Sequence, residues 1–97
     1  MLKCVNVMEQ IVDSNIEEVM RKEQCCTCER CKMDVRALTL NRVPPKYVVT
    51  EAGMAFEECR QGYGQNWISV YQCMLEAIQK VKENPHHGDE PSALHYY

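Results

Sequence analysis

Apolar residues recur at spacings of three and four near both ends of this 97-residue chain, and that rhythm restricts what it can become. Near the start they fall at Val7, Met8, Ile11, Val12, Ile16, Val19 and Met20, one face of a helix over Val5 to about Glu23. On its polar face Glu9, Asp13, Glu17 and Glu18 precede Arg21 and Lys22, the order that favours a helix dipole. Near the end, Trp67, Val70, Tyr71, Met74, Leu75, Ile78 and Val81 keep the same register, predicting a second long helix from about Asn66 to Glu83. No apolar run approaches the roughly 20 residues of a membrane span, and the first nine residues lack an export signal. The chain reads as cytosolic.

Between these helices the breakers set the pattern. Thr27 is a candidate cap for a second helix, with Cys31, Val35, Leu38 and Leu40 as its buried stripe. That helix must end by Val43, because Pro44 and Pro45 withhold two amide donors and push the preceding residue into extended backbone. Lys46–Thr50 reads as a short extended segment. Thr50 then caps a third helix reaching about Gln61, before Gly62 and Gly64. The expectation is an all-α fold: one compact domain of three to four helices over residues 1–85, with a mobile polar tail over 86–97. The long apolar stripes also point to a homodimer, since so small a unit has little with which to cover them.

Charge is unevenly spread. Arg21 to Lys46 holds seven basic residues against three acids, a local +4, while the remainder is −7. Such a basic centre can concentrate a small anionic ligand. The overall acidity argues against direct, sequence-blind DNA binding. No Ser/His/Asp arrangement or glycine-rich phosphate loop is present, and all three histidines follow Pro85. Nothing here points to catalysis.

Four of the seven cysteines crowd into Cys25, Cys26, Cys28 and Cys31. Cys28-x-x-Cys31 has the spacing of half a structural zinc site. Cys26 can join it, whereas Cys25 and Cys26, as chain neighbours, direct their side chains apart. A fourth ligand has to come from Cys59, Cys73, His86, His87 or a partner chain. A thioredoxin-like use of the pair needs a βαβ context that a helical chain does not offer. Plain packing of thiols into a core, without metal, is the other reading, and Cys73 fits it as a small hydrophobe in the last helix.

The run C-T-C-E-R-C-K-M-D-V-R-A-L-T-L-N-R-V-P-P-K-Y-V-V-T, Cys26 to Thr50, closely resembles the signature of the late competence development protein ComFB family. N-V-M-E-Q-I-V at Asn6–Val12 and A-I-Q-K-V-K-E-N-P at Ala77–Pro85 resemble its flanks. The resemblance implies a small, helical, dimeric bacterial protein. It also implies zinc held by Cys26, Cys28 and Cys31, and a cyclic dinucleotide (cyclic di-GMP or cyclic di-AMP) as ligand, its signal passed to a protein partner. Two features depart from the pattern: Cys25 is an additional thiol, and the tail has no cysteine. Candidate ligand contacts are Asp34, Arg36, Asn41, Arg42 and Tyr47, since guanidinium groups and aromatic rings stack on bases and arginine pairs with guanine or phosphate. Plainer roles are open too: Asn41 can end a helix and Asp34 can pair with Arg30. The alternative to a nucleotide receptor is a zinc-stabilised protein-interaction module.

Overall fold

In the computed structural model, residues 3–62 and 64–85 are described, and the expected tail over 86–97 lies outside them. The elements in order are β1 (Val5–Asn6), α1 (Val7–Lys22), α2 (Glu29–Leu40), β2 (Tyr47–Val48), α3 (Glu51–Gln61) and α4 (Gly64–Glu83). The fold is all-α, with one two-residue antiparallel pairing, Val5 with Val48 and Asn6 with Tyr47.

All seven residues of the α1 stripe are buried. The helix begins two residues later than its periodicity suggests, because Val5 and Asn6 are drawn into the pairing with β2. Asn6 is its N-cap: Met8 N–H donates to Asn6 Oδ1 at 3.2 Å. The same oxygen accepts from Lys46 N–H at 2.9 Å, and Val7 N–H donates to the Lys46 carbonyl at 2.7 Å. One side chain thus ties the start of α1 to the exit of the Pro44–Pro45 corner.

The far end of α1 closes through residues in sequence order. Gln24 adopts a left-handed φ of 56°. Its N–H donates to Arg21 O at 3.0 Å, and Cys25 N–H donates to Met20 O at 2.9 Å, the paired bonds of a Schellman closure. Lys82 Nζ adds a bond to Glu23 O at 3.0 Å, fastening the end of α4 to the end of α1.

Cap and stripe of α2 differ from expectation at two positions. Cys28, not Thr27, is the N-cap: its extended backbone lets Sγ accept from Cys31 N–H at 3.4 Å, so the helix starts at Glu29. Cys31, Val35 and Leu38 are buried, whereas Leu40 lies two positions beyond Leu38, turns off the face and is only half-buried. Thr39 is buried in its stead. Thr50 caps α3 as its sequence suggests, accepting from Gly53 N–H at 3.0 Å. This helix is thinly anchored. Gln61 is its one buried residue, and Ala52, Ala55, Phe56 and Cys59 face outward.

The core lies where α1 and α2 meet α4, with Met8, Met20, Met74, Ile78 and Val35 almost wholly enclosed. Each such side chain contributes about 1.5–3 kcal/mol through burial. Val70, Met74, Ala77, Ile78 and Val81 form the inner face of α4, while Trp67, Tyr71 and Leu75 are only half-buried along one flank. Cys73 is likewise half-buried against the core.

The left-handed cap yields a test. A side chain at Gln24 carries a steric cost of about 1 kcal/mol that glycine avoids. Gln24→Gly is expected to raise the melting temperature by about 4–8 °C in a thermal scan, provided the Schellman closure sets the end of α1.

Candidate functional site

The closure after Gln24 turns the chain so that Cys25 drops into the core, while Cys26 and Cys28 stay exposed and Cys31 enters the first turn of α2, buried. The sulfurs of Cys26, Cys28 and Cys31 all lie within 4.8 Å of one another. A tetrahedral zinc with Zn–S bonds of about 2.3 Å requires sulfur separations of roughly 3.8 Å, so small rotations suffice to close three corners of such a site. The three thiols could therefore hold a metal ion. Burial pushes the Cys31 thiol up to about 12, reinforced by Cys28 and Cys26, and burial raises Cys25 as well. A metal must displace the Cys31 proton, which makes its affinity rise with pH.

Among the described residues, no fourth cysteine, histidine or carboxylate joins this cluster. Cys59 and Cys73, both named as possible ligands from sequence, sit on α3 and α4 outside it, and His86 and His87 lie outside the described residues. The cluster opens into a hollow of about 240 Å³ walled by Cys25, Cys26, Cys31, Val81, Lys82 and Pro85.

The basic segment is largely engaged within the chain. Asp34, 5% exposed, accepts from Arg30 Nε at 3.1 and 3.2 Å, the pairing that the sequence left open. Arg36 reaches across to α1, to Asp13 at 2.6 Å and Glu9 at 3.0 Å, and these acids raise its already high pKa, Asp13 most. Lys32 meets Glu17, which also pairs with Arg21; Lys32 first and Arg21 second hold the Glu17 carboxyl below its ordinary 4.5. Arg42 contacts Glu76 of α4 at 2.5 Å, both side chains about half exposed. Asn41 closes α2, its N–H donating to Ala37 O at 3.0 Å.

The five candidate ligand residues therefore do not form one cluster. Arg36 faces α1, and Asp34, two positions earlier, is about 200° away around the helix and points inward. Asn41, Arg42 and Tyr47 are exposed and flank the proline corner, with Tyr47 65% exposed on β2. Sequence reasoning did not find a groove of about 530 Å³ between α1 and α4, where Val19, Trp67, Ile68, Tyr71 and Leu75 supply apolar walls. The Trp67 and Tyr71 rings stand 5.8 Å apart at 49°. Its signal was present: Trp67, Tyr71 and Leu75 follow at intervals of four, a second stripe beside the core stripe.

A family model described as late competence development protein ComFB matches residues 5–85. This chain belongs to the ComFB family. Competence protein ComFB of Bacillus subtilis (strain 168) is 29% identical over 79 residues, covering 81% of this chain and 78% of that protein. The solved structure of the late competence protein ComFB from Bacillus subtilis superposes with a TM-score of 0.76 at 27% identity, covering 91% of this chain and 100% of the other. The resemblance carried by Cys26–Thr50 and its flanks is thus established, and with it the all-α fold. Among the described residues no helix is long and apolar enough to cross a membrane.

Asp34 supplies the check on this site. Its removal takes from Arg30, whose side chain is only 18% exposed, the ion pair with the Asp34 carboxylate. Asp34→Ala should cost about 1.5–3 kcal/mol in denaturant titration, the range for hydrogen bonds to charged groups. A loss below half a kcal/mol, on the order of an exposed ion pair, would deny the pair its structural role.

Proposed function

We propose that this chain is a cyclic dinucleotide receptor that works as a homodimer and passes its signal to a protein partner, without catalysing a reaction. The observation that carries this reading is the exposure of Tyr47 on backbone that is pinned beside it. Asn6 and Val7 hold Lys46 from both of its peptide groups, and two prolines stiffen the approach. A ring presented on ordered backbone can stack on a base with little further entropy lost. Arg42, whose side-chain ion pair among the described residues is half exposed, can exchange Glu76 for a phosphate at small cost. Asn41 stands beside it for a base edge. Asp34 and Arg36 act in this reading through the pairs that order α2. A ligand with twofold symmetry suits a twofold dimer, each chain giving the same contacts to one half. The groove lined by Trp67, Ile68 and Leu75 offers apolar surface for the second copy.

Calorimetry with cyclic di-GMP and with cyclic di-AMP tests this. One ligand per two chains is expected. Tyr47→Ala and Arg42→Ala should each weaken binding about 10- to 100-fold, the loss of one charge-assisted or stacking contact. Failure of both nucleotides to bind at tens of micromolar removes the receptor reading.

A second reading, a zinc-stabilised protein-interaction module, is favoured by the three thiols. Zinc on Cys26, Cys28 and Cys31 would serve structure, joining the end of α1 to the first turn of α2. Such binding energy is folding energy. The purified protein should carry one zinc per chain, and a chelator should lower its melting temperature by several degrees. Metal-free protein that is indifferent to chelator would reduce the cluster to packing.

A further inference from the structure

We infer that Cys28 and Cys31 form a reversible disulfide under peroxide, and that closing it empties the thiol cluster of its metal. This rests on the reading of Cys26, Cys28 and Cys31 as a zinc site, and it adds a redox control of that site. The geometry singles out the pair. Cys28 is the N-cap of α2 and Cys31 lies in its first turn, so the Cys28 sulfur stands 3.4 Å from the Cys31 amide nitrogen. The sulfurs of the cluster lie within 4.8 Å of one another, and a disulfide needs about 2.05 Å. Side-chain rotation at a fixed helix start can supply that approach.

Exposure divides the roles. Cys28 is exposed, whereas Cys31 is 1% exposed. A small oxidant therefore meets Cys28 first, and Cys31 is the shielded thiol that resolves it. Peroxide oxidises the Cys28 thiol to a sulfenic acid and leaves as one water. The Cys31 sulfur then attacks the Cys28 sulfur, the S–O bond breaks, and the hydroxyl departs with the Cys31 proton as a second water. The two sulfurs give up two electrons in all, and the peroxide accepts them. A dithiol reductant reopens the bridge by thiol–disulfide exchange. The bridge withdraws two of the three donors, and Cys26 alone cannot retain zinc, whose structural sites take four ligands. This is a sensing use of the pair, which needs no βαβ frame. Cys26 is the rival partner, being exposed as well, while Cys25 is packed within the core cluster.

The test treats the full zinc-loaded chain, carrying Cys4→Ser and Cys59→Ser to remove the exposed thiols outside the cluster, with hydrogen peroxide. Released zinc is read with a coloured chelator, thiols are counted, and tryptic fragments are weighed. Trypsin cuts after Lys22, Arg30 and Lys32, so a Cys28–Cys31 bridge joins fragment 23–30 to fragment 31–32, whereas a Cys26–Cys28 bridge stays inside fragment 23–30. One zinc released and two thiols lost per chain are expected, together with the joined fragments; dithiothreitol followed by zinc should restore the starting state. In metal-free protein Cys26→Ala should form the same joined fragments, and Cys31→Ala should not. Zinc-loaded protein that keeps its metal and all its thiols in excess peroxide, a bridge confined to fragment 23–30, or a joined pair that disappears in Cys26→Ala overturns the switch and leaves the zinc site standing. Wild-type protein that takes up no zinc overturns both.

Discussion

A single amide oxygen, Asn6 Oδ1, organises the side of the molecule that presents Tyr47. It caps α1 through Met8 and at the same time holds Lys46 N–H, joining residues 40 apart in the chain. Without that bond, the first turn of α1 and the exit of the proline corner would each carry a part-buried amide without this partner. A hydrogen bond of this kind contributes about 1 kcal/mol net, but leaving its partners unmet costs more. Tyr47 stands next along the chain, opposite Asn6 in the ladder.

Charge arrangement shows a contrast between composition and space. The chain segregates its signs, basic from Arg21 to Lys46 and acidic elsewhere, yet packing folds the two together. Arg36 lies between Glu9 and Asp13, Lys32 meets Glu17, and Arg42 meets Glu76. Most of these pairs are exposed and each adds little to stability; they link α1 to α2 and α2 to α4. The depressed Glu17 carboxyl gives one sign of pH dependence: its favourable interaction is fully present above pH 4.5 and fades as acid protonates it. Arg30 and Asp34 differ, being largely withdrawn from water.

The thiols meet two opposed demands. Cys25 and Cys31 are buried among apolar side chains, which keeps them protonated, while Cys26 and Cys28 sit in water. Cys28 also caps α2 with its sulfur, so the group that starts the helix is one of the three that could hold metal. Here the end of one helix, the start of the next and the last turn of α4 converge, through the Schellman closure and the Lys82 bond.

How much of this was legible without coordinates depends on the range of the interaction. The stripe of α1 was fully readable, since all seven of its residues are buried; so were the Thr50 cap and the end of α2 before Pro44. Those outcomes depend on residues within one or two helical turns, where a 3.6-residue period and the missing proline amide act directly. The proximity of Cys26, Cys28 and Cys31 was also local. The two-residue ladder was not readable, because strands so short leave no alternation to detect; the second flank of α4 left a signal in the spacing of Trp67, Tyr71 and Leu75, but apolar residues in that register read equally as core. Arg36 with Asp13 and Arg42 with Glu76 span 23 and 34 positions, and nothing in the order of residues chooses one acid over another. By itself the sequence determined which segments are helices, which faces are apolar and where the chain must turn. Tertiary structure alone decided which charges cancel, which of the five candidate side chains remain exposed, and which helix ends meet beside the thiols, because those outcomes depend on how the faces pack.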